Sequence, residues 1–142
     1  MTFKSRISHI KRVEPGTALS YGRTYTADDA TIVATVPVGY ADGYFRNLSN
    51  NTEMLVAGEK VRQIGRICMD QCMIDVTKVN NINIGDEVTL FGGEGNRNVT
   101  VDDIAEKLGT INYEVTCDVG RRVPRIYIKN GKTVKSLNYI YG

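Results

Sequence analysis

Tyr21 and Tyr25, four residues apart in ALSYGRTYTADD, bracket a Gly-Arg-Thr core and are side chains able to carry a proton. A phenol with an ordinary pKa of about 10 is a weak base at neutral pH unless its surroundings favour the phenolate. Tyrosines in β-rich stretches more often pack, with the hydroxyl at the surface. Both roles are open to each tyrosine at this point. Further along, VGYADGYFR places Tyr40, Asp42, Tyr44 and Arg46 within seven residues, directly after an apolar run ending at Pro37. That is either an ordinary turn or, because polar aromatics stand beside arginine, the mouth of a site for an anionic ligand. GRICMDQCMIDV embeds Met69-Asp70-Gln71 in an apolar stretch. Burying an uncompensated carboxylate and amide costs several kcal/mol, so these groups either face water or are hydrogen-bonded for a purpose. TINYEVTCDVGRRVPRIY sets Tyr113 just past an expected helix and a rigid Val123-Pro124-Arg125 after an arginine pair.

Other chemistries are disfavoured. FGGEGN, Phe91 to Asn96, matches neither the dinucleotide fingerprint nor the phosphate-loop pattern and has no helix directly after it, so it reads as a wide hairpin loop. Cys68, Cys72 and Cys117 are odd in number, and His9 is the one histidine, too few ligands for a four-coordinate zinc site. No metal is expected. Sparse cysteines favour a reducing, cytoplasmic setting. A net charge of +2 with both signs scattered argues against nucleic-acid binding, and the basic clump Gly120 to Arg125 reads as solvated surface. No apolar run approaches the roughly 18 residues of a membrane span, and the N-terminus has no signal-like apolar region.

The elements that must position these residues are mostly strands. Short runs rich in Val, Ile, Thr and Tyr, separated by Gly, Asn and Asp, are the pattern of an all-β sandwich or barrel. Strands are expected at Arg6 to Val13, Leu19 to Thr26, Thr31 to Val38, Glu53 to Val56, Lys60 to Arg66, Met73 to Thr77, Glu87 to Phe91, Arg125 to Lys129 and Lys132 to Leu137. Asn130-Gly131 supplies the positive φ angles of a tight hairpin. One short helix is expected at Val101 to Leu108, capped by Thr100 with Asp103 completing a capping box and Gly109 ending it. At 142 residues and 42% hydrophobic, residues 1–142 are read as a single domain. The opening MTFKSRISHIKRVEPG reads as a strand already under way, which suggests a domain cut from a longer chain.

LSYGRTYTA, TVPVGYADGYFR, IGRICMDQCMIDV and INYEVTCDVGRRVPRIY, in this order and at these separations, resemble the C-terminal domain of the alanine racemase family. The resemblance implies a Greek-key β-barrel of about six to nine strands, following an N-terminal (β/α)8 barrel that this chain lacks. It implies a homodimer dependent on pyridoxal 5'-phosphate that interconverts L- and D-alanine, the D-alanine going to cell-wall peptidoglycan. By that likeness Tyr21 is the catalytic acid and base on one face of the substrate, and Tyr25 keeps a packing role. Racemisation must take a proton from one face of Cα and return one to the other, so two flanking groups are needed. In the family the second is the lysine that carries the cofactor, in the absent barrel. Met69 matches the residue whose backbone N–H meets the substrate carboxylate, with Asp70 beside it. Tyr113 matches the tyrosine that bonds the cofactor phosphate. Tyr40, Arg46, Arg66 and Ile111 match the corridor through which substrate enters, where arginine draws in a carboxylate. Tyr21 and Met69 would project into the partner subunit's barrel, so the isolated chain is expected to be inactive. A stand-alone β-barrel interaction module and the corresponding domain of a serine racemase are the competing readings.

Overall fold

Short alternating runs closed by Gly, Asn and Asp favour a sheet with one face turned inward. The computed structural model describes residues 1–94 and 97–140. Its main sheet contains β1 (Phe3–Arg6), β2 (His9–Val13), β5 (Thr31–Val36), β6 (Glu53–Val56), β7 (Glu59–Ile64), β8 (Cys72–Asp75), β9 (Glu87–Glu94) and β10 (Arg97–Val99). The strand order is β1-β9-β6-β7-β8-β5-β2, with β10 paired to β9, and every pairing is antiparallel. The run β9-β6-β7-β8 is a Greek key, since three consecutive strands are followed by a fourth that returns beside the first.

The expected strand Arg6 to Val13 is broken in two, and the break curls the sheet. Ile7 N–H donates to Asp86 O at 2.9 Å on the β9 side, while Ser8 N–H donates to Thr35 O at 2.9 Å on the β5 side. One segment therefore holds both outer ends of the sheet. The mainly β architecture is thus a curled antiparallel sheet. Its inner face buries Val36, Met54, Val56, Ile74, Val88 and Leu90, and Phe3 meets Phe91 edge-on with ring centroids 5.4 Å apart. Each such buried aliphatic side chain contributes about 1.5–3 kcal/mol.

Two α-helices are present among the described residues where one was expected. α1 (Val101–Leu108) has the anticipated capping box: Asp103 N–H donates to Thr100 Oγ1 at 3.0 Å, and Thr100 N–H donates to Asp103 Oδ2 at 2.8 Å. Its buried face, Ile104 and Ala105, packs on the core. α2 (Asn112–Cys117) was not anticipated, because six residues with one buried side chain, Val115, leave no periodic signature.

A second departure concerns Leu19 to Thr26, which is not one strand. Two-residue strands β3 (Ala18–Leu19) and β4 (Tyr25–Thr26) flank a 3-10 turn at Tyr21–Arg23. Elsewhere, β11 (Arg125–Lys129) and β12 (Lys132–Leu137) form a separate hairpin whose turn has positive φ at Asn130 and Gly131, as the sequence predicts. The FGGEGN hairpin has its arms in β9 and β10, and its tip residues Gly95 and Asn96 lie outside the described residues. Among the described residues no helix is long and apolar enough to cross a membrane.

Candidate functional site

Tyr21 stands on a turn of unusual backbone. Ser20 and Arg23 both have positive φ, 65° and 49°, with Gly22 at 72° between them. The surrounding structure fixes this conformation. Ser20 Oγ donates to Arg66 O at 2.8 Å. Gly65 itself has φ +72°, and a Cβ there would lie 2.7 Å from Ser20 Cβ, so the turn rests directly on glycine backbone. Gly65 N–H donates to Asn50 Oδ1 at 2.5 Å, and the buried Gln63 amide donates to Gly65 O at 2.9 Å and Ile64 O at 3.0 Å. Asn50 N–H in turn donates to Gln63 Oε1 at 2.7 Å. Neither Asn50 nor Gln63 is among the candidate residues read from the sequence, and Gln63 falls inside the expected strand Lys60 to Arg66.

Held this way, Tyr21 is 76% exposed and carries its phenol out over the surface. Tyr25 does the opposite: it is half-buried against the small cluster of Val13, Ala27, Val33 and Ile64 beneath the turn. The two tyrosines differ in exposure, and a turn rather than strand alternation parts them.

The second segment is the 3-10 turn Tyr40–Asp42, locked onto the strand connection that carries Met69. Tyr40 N–H donates to Cys68 O at 3.1 Å and Ala41 N–H to Met69 O at 3.0 Å. Gly39 is required by this approach, because a Cβ there would sit 2.1 Å from Cys68 O. In VGYADGYFR the polar groups divide. Tyr44 is a core residue, 1% exposed, and burial pushes its phenol far above the ordinary tyrosine range, so it is not a base. Asp42 is buried too, 6% exposed, and accepts from Gly39 N–H at 2.9 Å and from Arg122 Nε at 2.7 Å. Tyr40 and Arg46 face outward. Buried Leu48 anchors the next 3-10 turn, Arg46–Leu48, and Ser49 Oγ closes it onto Arg46 O at 2.5 Å.

Tyr21, Tyr40, Arg46, Arg66, Met69 and Asp70 line one open hollow of about 650 Å³, with Ile67, Cys68 and Gln71. Tyr21 and Arg66 also border a smaller hollow of about 320 Å³ that reaches Cys68 and Cys72. Burial pushes the Cys72 thiol up to about 12, so it is protonated at neutral pH. Ile111 and Tyr113 do not line the hollow. They sit at the N-terminal end of α2, 64% and 74% exposed. Gly120 to Arg125 lies at the surface as expected, with Arg121, Arg122 and Pro124 exposed, but its arginines have partners. Arg122 pairs with Asp42 and Asp70, Arg125 donates to Val119 O at 2.6 Å and Gly120 O at 3.2 Å, and Arg121 lies over the Tyr139 ring. All three guanidiniums are partnered: Arg122 joins segments 80 and 52 residues away, whereas Arg125 braces its own loop.

An exposed phenol, two arginines and a polar backbone turn around one hollow suit an anionic small molecule. The family model described as "Alanine racemase, C-terminal domain" matches residues 1–127. The chain belongs to the alanine racemase C-terminal domain family. Alanine racemase 1 of Clostridium acetobutylicum is 51% identical over 140 residues, covering 99% of this chain and 36% of that relative. An alanine racemase structure from Bacillus anthracis with bound L-Ala-P superposes with a TM-score of 0.91 at 41% identity, over 98% of this chain and 35% of that one. An alanine racemase from Bartonella henselae with covalently bound pyridoxal phosphate gives a TM-score of 0.83 at 27% identity, over 89% of this chain and 34% of that one. The chain thus spans about a third of the length of the racemases it matches, and aligns with their C-terminal domain.

Proposed function

We propose that residues 1–142 form a single domain, the C-terminal part of a pyridoxal phosphate-dependent alanine racemase. Tyr21 serves it as acid and base on one face of the substrate Cα. The carrying observation is the Tyr21 phenol, exposed on a turn locked to Gly65 and Arg66 and standing over a hollow with two arginines at its edge. The L-Ala-P and pyridoxal phosphate held by the two solved relatives support alanine and that cofactor.

The residues of this chain fit one side of such a cofactor. No lysine lines either hollow, so the group that attaches it comes from outside these residues. When bound, pyridoxal phosphate supplies the electron sink that makes the substrate Cα–H acidic. Tyr21 takes or returns that proton at its phenolic oxygen. The Met69 backbone N–H meets the substrate carboxylate with Asp70 beside it, while Arg46 and Arg66 favour its approach. Tyr40 and Ile111 narrow the way in, and Tyr113, exposed at the start of α2, would hold the cofactor phosphate. On this reading the N-terminal barrels of its own subunit and of a partner cover these groups in a homodimer. The free thiols of Cys68, Cys72 and Cys117 suit a reducing compartment and so the cytoplasm.

Racemase activity of the 142-residue chain with added pyridoxal phosphate tests the division of labour. The expected result is no rate above that of the cofactor alone, with activity present in the full-length protein. A substantial rate from the short chain would overturn it.

A further inference from the structure

Three segments far apart in sequence meet at one guanidinium. Arg122 donates from Nε to Asp42 Oδ1 at 2.7 Å and from Nη2 to Asp70 Oδ1 at 2.5 Å. The Asp42 end is anchored. Its carboxylate is buried, it holds Gly39 N–H, and its backbone carbonyl accepts from Gly120 N–H at 2.9 Å. The Asp70 end is not: that side chain is 59% exposed and, among the described residues, has no other hydrogen-bond partner. Arg122 is therefore a strut, fixed at the core side and reaching out to a carboxylate at the hollow.

We propose that Arg122 is a positioning residue for the substrate carboxylate. It acts through Asp70 to hold the Cys68–Asp70 turn, and with it the Met69 backbone N–H, at the height where the carboxylate binds. The inference rests on the racemase reading of the hollow. The turn is already tied on one flank, by Tyr40 N–H to Cys68 O and Ala41 N–H to Met69 O. Cys68 N–H also donates to Gln71 O at 2.9 Å across the turn, so the Asp70 side chain is the part left untied, and Arg122 holds it. A planar guanidinium presents donors along two edges at once and so spans both carboxylates; an ammonium is a point donor that satisfies one of them. The buried Asp42 keeps the charge in that competition, because an unpaired carboxylate costs more there than at the exposed Asp70.

Steady-state kinetics of the full-length protein, with propionate titrated calorimetrically as a carboxylate probe lacking the amine, tests this. Arg122→Lys is expected to raise KM for alanine and weaken propionate about tenfold, the loss of one charge-assisted hydrogen bond. Its kcat should stay within about twofold, and its thermal midpoint should be unchanged, since the buried Asp42 pair survives. Asp70→Asn should give a similar KM shift, and Arg122→Lys/Asp70→Asn no more than the larger single change, because both remove one interaction. Arg122→Met strips Asp42 of its partner and risks the fold, so the decision rests on the lysine variant. An Arg122→Lys protein that matches the parent in KM and propionate affinity, or a double variant whose loss is the product of the single losses, overturns the inference alone. A full-length protein that does not racemise alanine overturns the racemase reading and this inference with it.

Discussion

Substituting Gly65 by alanine perturbs the site without touching any group that contacts substrate. Gly65 has φ +72°, and its new Cβ would lie 2.7 Å from Ser20 Cβ. The left-handed backbone costs a non-glycine residue about 1–2 kcal/mol. Carbon atoms rest about 3.5–4.0 Å apart, so the Ser20–Tyr21 turn must retreat by roughly 1 Å, at a further ~1–2 kcal/mol of overpacking. Together these come to about 2–4 kcal/mol, or a melting point lower by about 6–12 °C at roughly 3 °C per kcal/mol. A misplacement of about 1 Å costs on the order of a hundredfold in rate. Gly16→Ala is the control: its φ of +82° carries the same strain, but its Cβ meets nothing within 4 Å. Melting curves and kcat of both variants in the full-length protein should show both destabilised and only Gly65→Ala slowed. Equal kcat values for the two would refute the claim that the Gly65 contact places Tyr21.

At the α1 N-terminus, hydrogen bonds from Thr100 hold the Asp103 carboxyl below the ordinary aspartate range. A lowered folded-state pKa gives stability that is present above the unfolded value of about 3.9 and lost as pH falls through the folded one. Thr100→Ala should therefore cost about 1 kcal/mol at neutral pH, and the gap between Asp103→Asn and the parent in urea titrations should narrow steadily as pH falls below the unfolded value of about 3.9; a gap that stays constant there contradicts the capping role. The buried Tyr44 hydroxyl has the Thr52 side chain beside it but no well-formed hydrogen bond among the described residues. Tyr44→Phe should thus raise the melting point by 0 to about 3 °C, and a clear fall would mean that the hydroxyl has a partner.

Strand positions were legible because period-2 alternation reports directly on a half-buried sheet, and α1 because its capping box is local. The Tyr21 turn was not legible. LSYGRTYT alternates like a strand, and nothing in the letters signals that Ser20 and Arg23 adopt positive φ; the packing on Gly65 imposes it. Arg122 escaped for a related reason. Its partners lie 80 and 52 residues away, so GRRVPR looked like a charge run on a solvated face. The Asn50–Gln63 network beneath the turn is equally non-local, and α2 is too short to show a period. The resemblance named Tyr21, Tyr40, Arg46, Arg66, Met69 and Asp70, and all six line one hollow, whereas Ile111 and Tyr113 stand apart from it on α2.

The central claim is that the Tyr21 phenol moves the substrate proton, and Tyr21→Phe in the full-length protein tests it most directly because it removes one oxygen from an exposed side chain. The measurement is kcat for alanine racemisation alongside the absorbance of bound pyridoxal phosphate. The account predicts a fall of about 10²–10⁴-fold with cofactor content and melting point unchanged. An unaltered kcat would contradict it.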